Sequence, residues 1–128
     1  MNDEQAIRTA VEAWNKGVDE FVDLLAPDVE FHAPPGFPDA DLVEGRDAVR
    51  SVLRELFGSV FTGVEYRLED TTRGPGGWLL RARQSVDQQR GMKLEWKEFV
   101  VMRFEGELIS HVWVFYERDA AERQAGLS

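Results

Sequence analysis

Between Met92 and Glu117 the chain alternates as a long β-hairpin must, and this stretch constrains the fold more than any other. In the first arm, Met92 to Phe104, a side-chain period of two puts Leu94, Trp96, Glu98, Val100, Met102 and Phe104 on one face. Lys93, Glu95, Lys97 and Arg103 take the other. A single carboxylate, Glu98, thus falls within an otherwise apolar face. With Glu105-Gly106 as a two-residue turn, Phe104 stands opposite Glu107, Met102 opposite Ile109, Val100 opposite His111 and Glu98 opposite Trp113. That register places His111, Trp113 and Phe115 on the Glu98 face, with Glu98 and His111 in reach of each other across the diagonal between the strands.

The segments before the hairpin supply what such a sheet packs on. Ile7, Ala10, Val11, Trp14 and Val18 recur at helical spacing, with Asn2 as N-cap, Gln5 three residues on and Gly17 as the stop. A second short helix is expected over Asp19 to Leu25, ended by Pro27 before a strand from Asp28 to Ala33. In that strand Val29, Phe31 and Ala33 alternate against Glu30 and His32. The proline-dense stretch Pro34 to Asp41 reads as a loop carrying Phe37, and a third helix runs from about Gly45 to Phe57. Strands follow from Val64, where Val64, Tyr66 and Leu68 alternate, and from Trp78 to Val86 after the turn Gly74-Pro75-Gly76-Gly77. A five-residue loop after that arm would set Val86 opposite Met92 and Gln84 opposite Leu94. Its inner side then carries Trp78, Leu80, Ala82 and Gln84, and its outer side the mixed charges of Arg81, Arg83, Glu95 and Lys97. Asp119 to Gln124 reads as a short helix too polar for the core.

A chain of 128 residues is the size of one domain, and residues 1–128 are read as one. The order helix, helix, strand, helix and then long strands gives an α+β fold, a curved antiparallel sheet wrapped around the N-terminal helices as a cone. Without cysteine there is no disulfide or thiolate chemistry. The net charge of −9 has no basic stripe within it, which argues against nucleic acid and anionic membrane as partners. The polar, acidic start Met1-Asn2-Asp3-Glu4-Gln5 leads into no apolar run, so a cytoplasmic protein with neither signal peptide nor membrane span is expected.

Three pieces of sequence carry a family resemblance: Leu24-Leu25-Ala26-Pro27-Asp28-Val29-Glu30-Phe31-His32, Glu44-Gly45-Arg46-Asp47-Ala48-Val49-Arg50, and Glu117-Arg118-Asp119 through Ala125-Gly126-Leu127. In order and spacing they resemble the SnoaL-like branch of the nuclear-transport-factor-2-like superfamily over nearly the whole chain. The resemblance implies a conical α+β barrel of cystatin-like type, a deep apolar pocket and a homodimer formed through the sheet. It does not fix the chemistry, since the scaffold hosts isomerases, dehydratases, epoxide hydrolases, polyketide cyclases and non-catalytic proteins. For a ketosteroid-isomerase-like site it would seat the general base at Ala33, the tyrosine donor at Ala10 and the second acid at Val100, and all three are lost. For the cyclase type one inward acid is enough, and Glu98 can serve.

Glu98 and His111 are therefore the candidate catalytic residues. Burial raises a carboxyl pKa toward values useful in acid–base work, and an imidazole beside it can orient it or share its proton. The structural alternative is that the two merely satisfy each other. His32 alternates away from Phe31, but a twist at the following prolines would bring it to the pocket mouth. His32, His111 and Glu98 lack metal-ligand spacing, so no metal is expected. Four tryptophans are a heavy load for this length. Trp14, Phe31, Phe37, Gln84, Trp96, Val100, Trp113 and Phe115 are the expected pocket lining, with Gln84 as a neutral hydrogen-bonding group. No glycine-rich phosphate loop or nucleophile elbow is present, so no cofactor is expected. The sequence thus points to a small apolar ligand and to cofactor-free isomerisation, dehydration or cyclisation. The alternative is a non-catalytic ligand-binding or dimerisation module.

Overall fold

Asn2 opens the fold as expected, its side chain accepting the Gln5 backbone N–H at 2.9 Å and so capping the first helix, α1 (Asp3–Lys16). The computed structural model describes residues 2–34, 41–58, 61–88 and 91–127. After α1 come α2 (Val18–Val22), β1 (Leu25–His32), β2 (Leu42–Glu44) and α3 (Arg46–Leu53), which runs on into a π-helical turn (Arg54–Gly58). The remainder is β3 (Phe61–Gly74), β4 (Gly77–Gln88), β5 (Lys93–Glu105), β6 (Leu108–Phe115) and α4 (Arg118–Ala125). The six strands form one sheet in the order β2-β1-β6-β5-β4-β3, curved and unclosed, with β1 parallel to β6 and every other pair antiparallel. Among the described residues no helix is long and apolar enough to cross a membrane.

The inner face of the sheet closes on the helices because each element offers one apolar side. Ile7, Ala10 and Ala13 of α1, Phe21 and Val22 of α2, and Val49 and Leu53 of α3 meet Leu25, Val29, Leu80, Val100, Met102, Ile109 and Val112 in one core. Each large side chain so buried contributes about 1.5–3 kcal/mol. The second helix ends at Val22 and not at Leu25, and the strands near it also differ from expectation. β1 begins at Leu25, so Pro27 lies inside the strand and not at a helix end. It falls in the irregular stretch between the Leu25–Ile109 and Glu30–His111 pairs, where a missing N–H breaks no ladder bond. The short edge strand β2, which pairs Val43 with Phe31, carries no alternation long enough to read from sequence.

Registers decide which side chains face inward. In β4 and β5, Val86 pairs with Leu94, Gln84 with Trp96 and Arg83 with Lys97, two residues away from the expected alignment. An even offset leaves every face unchanged. β5 and β6 are different. The turn residues are Gly106 (φ 64°) and Glu107, so Glu105 pairs with Leu108 and Phe104 with Ile109, but Arg103 then pairs with His111. Ser110 is the extra residue of a β-bulge, its hydroxyl donating to the Arg103 carbonyl at 3.3 Å. From there on Met102 pairs with Val112, Val101 with Trp113 and Val100 with Val114. With Ser110 left out of the ladder, the rest of β6 presents the opposite side chains from those a regular pairing would turn inward.

The outer face also has a core of its own. Ala121 and Ala125 of α4 are fully buried against Leu79, Phe99 and Val101, with Trp113 and Phe115 packed alongside. α4 is thus less peripheral than its polar composition implied, because two alanines four residues apart let it lie close on the sheet. Phe99, on this outer face, is covered by α4. The turn between β3 and β4 holds α4 in place: Gly76 donates its N–H to the Ala125 carbonyl at 2.9 Å.

Candidate active site

Between the inner sheet face, α1 and the end of α3 lies a cavity of about 300 Å³. Ala10, Val11 and Trp14 come from α1, Phe21 from α2, and Leu53, Leu56 and Phe57 from α3 and its π-helical turn. The sheet contributes Phe31, Tyr66, Gln84, Trp96, Glu98, Val100, Met102, Val112 and Val114, and Tyr116 follows directly on the end of β6. Trp14 closes one wall with its ring edge-on to Phe21 and Phe57, the centroids 5.3 and 4.9 Å away. The lining is apolar except at a few groups that converge on Glu98.

Glu98 is 7% exposed. Its Oε1 accepts from Gln84 Nε2 and from Trp96 Nε1, each at 3.2 Å. Gln84 Oε1 in turn accepts the Trp14 indole N–H. Oε2 of Glu98 has no hydrogen-bond partner among the described residues. Burial pushes the carboxyl up to about 7, against the opposing pull of the Trp96 and Gln84 donors. The desolvation of a charge in an apolar wall outweighs two neutral hydrogen bonds. A carboxyl in this state gains and loses its proton near neutrality.

The structure places Trp14, Phe31, Gln84, Trp96 and Val100 at the cavity with Glu98, and takes three expected residues away from it. Because of the Ser110 bulge, His111, Trp113 and Phe115 stand on the outer face. The expected diagonal pairing of Glu98 with His111 does not form. The His111 imidazole lies instead between Ser110 Oγ at 2.9 Å and Glu30 Oε2 at 3.1 Å. His32 is on the same outer face, stacked on Trp113 with centroids 5.1 Å apart and 3.6 Å from Glu30 Oε1. No twist carries it to the cavity, because the β1–β6 ladder runs on through the His32–Trp113 pair. Phe37 lies outside the described residues. Among the described residues no group of three His, Asp or Glu side chains is arranged to hold a metal ion.

Val112, Val114, Tyr116 and Tyr66 line the cavity without having been expected to. The first three fill the places the bulge took from His111, Trp113 and Phe115. Tyr66 was in principle legible, since it alternates with Val64 and Leu68 on β3 and pairs with Gln84.

The sequence model of the SnoaL-like domain matches residues 7–112, most of the chain. The chain belongs to the SnoaL-like domain family. No curated protein matches the sequence. Solved structures similar to this SnoaL-like chain include an NTF2-like protein of unknown function from Burkholderia pseudomallei, 18% identical with a TM-score of 0.76 over 98% of each chain. TerC co-crystallised with polyporic acid is 12% identical, with a TM-score of 0.74 over 94% of this chain and 95% of that one. A Mycobacterium tuberculosis protein in complex with estradiol-17beta-hemisuccinate is 17% identical, with a TM-score of 0.71 over 89% and 92%. At such identities they share the SnoaL-like fold, and the chemistry rests on the residues of this chain.

Ala10 and Val100, two of the positions where a ketosteroid-isomerase-like site would hold its polar groups, line the SnoaL-like cavity as apolar wall. Its ionisable chemistry sits on β5 at Glu98, with the tyrosines Tyr66 and Tyr116 nearby. Burial first, and then the Glu98 charge, raises the pKa of both phenols, so each is a protonated donor.

Proposed function

We propose that the cavity takes up a small apolar molecule and that Glu98 transfers protons on it without a cofactor. The division of labour within its carboxyl carries this proposal. Oε1 is held by Trp96 and Gln84, which fixes the group, while Oε2 has no partner among the described residues and Glu98 lines an apolar cavity. A carboxyl that is fixed, desolvated and titrates near neutrality can accept a proton at one carbon or oxygen and return it at another. Isomerisation, dehydration and cyclisation each need such a shuttle. Two of the similar structures hold small organic molecules, polyporic acid and estradiol-17beta-hemisuccinate, which supports a small-molecule site. His111 takes no part, since the sheet lies between it and the cavity. We also infer that the outer face beyond α4, with Arg81, Arg83, Glu95, Lys97 and Trp113, receives a second copy of the chain.

The test is exchange of α-protons in bicyclic ketones such as 1-tetralone, followed by NMR in D2O. Exchange by the wild-type protein that falls by about 100-fold or more in Glu98→Gln supports proton transfer. Binding without exchange selects the non-catalytic ligand-binding module, in which Glu98 only joins α1 to the sheet through Gln84.

A further inference from the structure

Tyr66 borders the cavity, yet nothing so far described uses its hydroxyl. The residue pairs with Gln84 across β3 and β4, Gln84 stands opposite Trp96 on β5, and it donates to Glu98 two residues further along that strand, so all four share the inward face of the sheet. Its backbone is held from α1: Asn15 Oδ1 accepts the Tyr66 N–H at 2.6 Å, and Asn15 Nδ2 donates to the Tyr66 carbonyl at 3.0 Å. Such bracketing fixes where the ring can lie. Tyr66 is 8% exposed and lines the cavity, and its hydroxyl is buried with no hydrogen-bond partner among the described residues. A buried hydroxyl left unpaired destabilises a protein, and phenylalanine would fill the same volume without that penalty. The empty space against this ring is the cavity.

We propose that the Tyr66 hydroxyl is the hydrogen-bond donor to an oxygen of the bound molecule, so that the cavity selects apolar ligands bearing a ketone or another neutral oxygen acceptor. The inference rests on the cavity being an apolar-ligand site. Donation is the phenol's role because burial, and next the Glu98 charge, keeps it protonated. A neutral acceptor fits better than an anionic one, since an ionised ligand would face the Glu98 carboxylate in a poorly solvated space. Discrimination follows from the same physics: a ligand without the oxygen leaves the phenol unpaired in the complex.

Tetralin and 1-tetralone differ only in the carbonyl and make a matched pair, with Trp14 and Trp96 fluorescence reporting their uptake. The wild-type protein is expected to bind tetralone on the order of tenfold more tightly than tetralin. Tyr66→Phe is expected to bind the two alike, with its tetralin affinity unchanged and its ligand-free Tm at or above that of the wild type. Glu98→Gln separates this from proton transfer, because it should lose α-proton exchange and keep the ketone preference. The proposal is overturned if Tyr66→Phe retains the preference, if the wild type shows none or takes up neither molecule, or if Glu98→Gln abolishes it. A Tyr66→Phe protein that melts several degrees lower also overturns it, since the hydroxyl would then have a structural partner.

Discussion

Trp14 donates its indole N–H to the side-chain carbonyl of Gln84, and that bond decides how Gln84 meets Glu98. An indole N–H can only donate, so the amide oxygen must face α1 and the amide NH2 must face Glu98 Oε1 at 3.2 Å. Gln84→Leu removes a donor that favours the ionised carboxyl. The Glu98 pKa is expected to climb further above about 7, and carboxyl-labelled NMR titration would show it. A pKa that falls would show that desolvation is not the dominant cause.

Glu98 also links stability to pH. Its folded-state pKa is raised from 4.5 to about 7, so the folded protein holds this proton more tightly than the unfolded chain. Stability from this group is full below about 4.5 and is lost as pH rises through 7, by about 3 kcal/mol. Glu98→Gln should abolish that slope. Urea denaturation of both proteins at pH 5 and pH 8 tests it: the advantage of the variant should grow with pH, and a constant difference contradicts it.

His111→Ala is expected to leave α-proton exchange within about twofold of the wild type, because the sheet separates the imidazole from the cavity. The protein should still lose about 1 kcal/mol of stability with the bonds to Glu30 and Ser110. Loss of exchange comparable to that of Glu98→Gln would place His111 back in the chemistry.

How far the site was legible follows from these two residues. Glu98 could be read because β5 alternates without interruption and the β4–β5 offset is even, so its inward direction survives an error in loop length. His111 could not, because its side depends on whether one serine is paired or bulged, and no propensity in Ser110 distinguishes the two. The same holds for Trp113 and Phe115. The helices were legible where caps and spacing agree, as at Asn2 and Gly17. They were less so in α3, whose apolar stripe continues into a π-helical turn after Leu53. The role of α4 escaped a reading by polarity, since what buries it is the small size of Ala121 and Ala125.

Gly74→Ala should detach α4. A Cβ at Gly74 would run into the Ala125 carbonyl backbone, which cannot move without lifting the helix from Phe99 and Val101. A loss of about 2–3 kcal/mol is expected, with increased binding of a dye specific for exposed apolar surface. An unchanged Tm would show that α4 can shift freely.

A dimeric mass is expected in solution at micromolar concentration. The outer face that α4 leaves open alternates Arg83 with Glu95, which already pair within one chain at 3.3 Å, and a twofold axis can extend that pattern. The indole of Trp113, with Arg103 stacked over it at 5.3 Å, adds apolar area beside the charges. A monomer by light scattering would rule this face out as a self-association surface.

The bulge at Ser110 makes β6 a strand carrying two alternative linings in alternate positions. Val112, Val114 and Tyr116 are in use; His111, Trp113 and Phe115 wait one residue out of phase. Pairing Ser110 with Arg103 would exchange the sets, setting His111 opposite Met102 and bringing an imidazole and an indole into the chamber beside Glu98 in place of two valines. A shift of strand pairing, and not only a change of side chain, is thus a route by which this scaffold can acquire a different lining. The residue on which that choice turns, Ser110, is not among those that line the cavity.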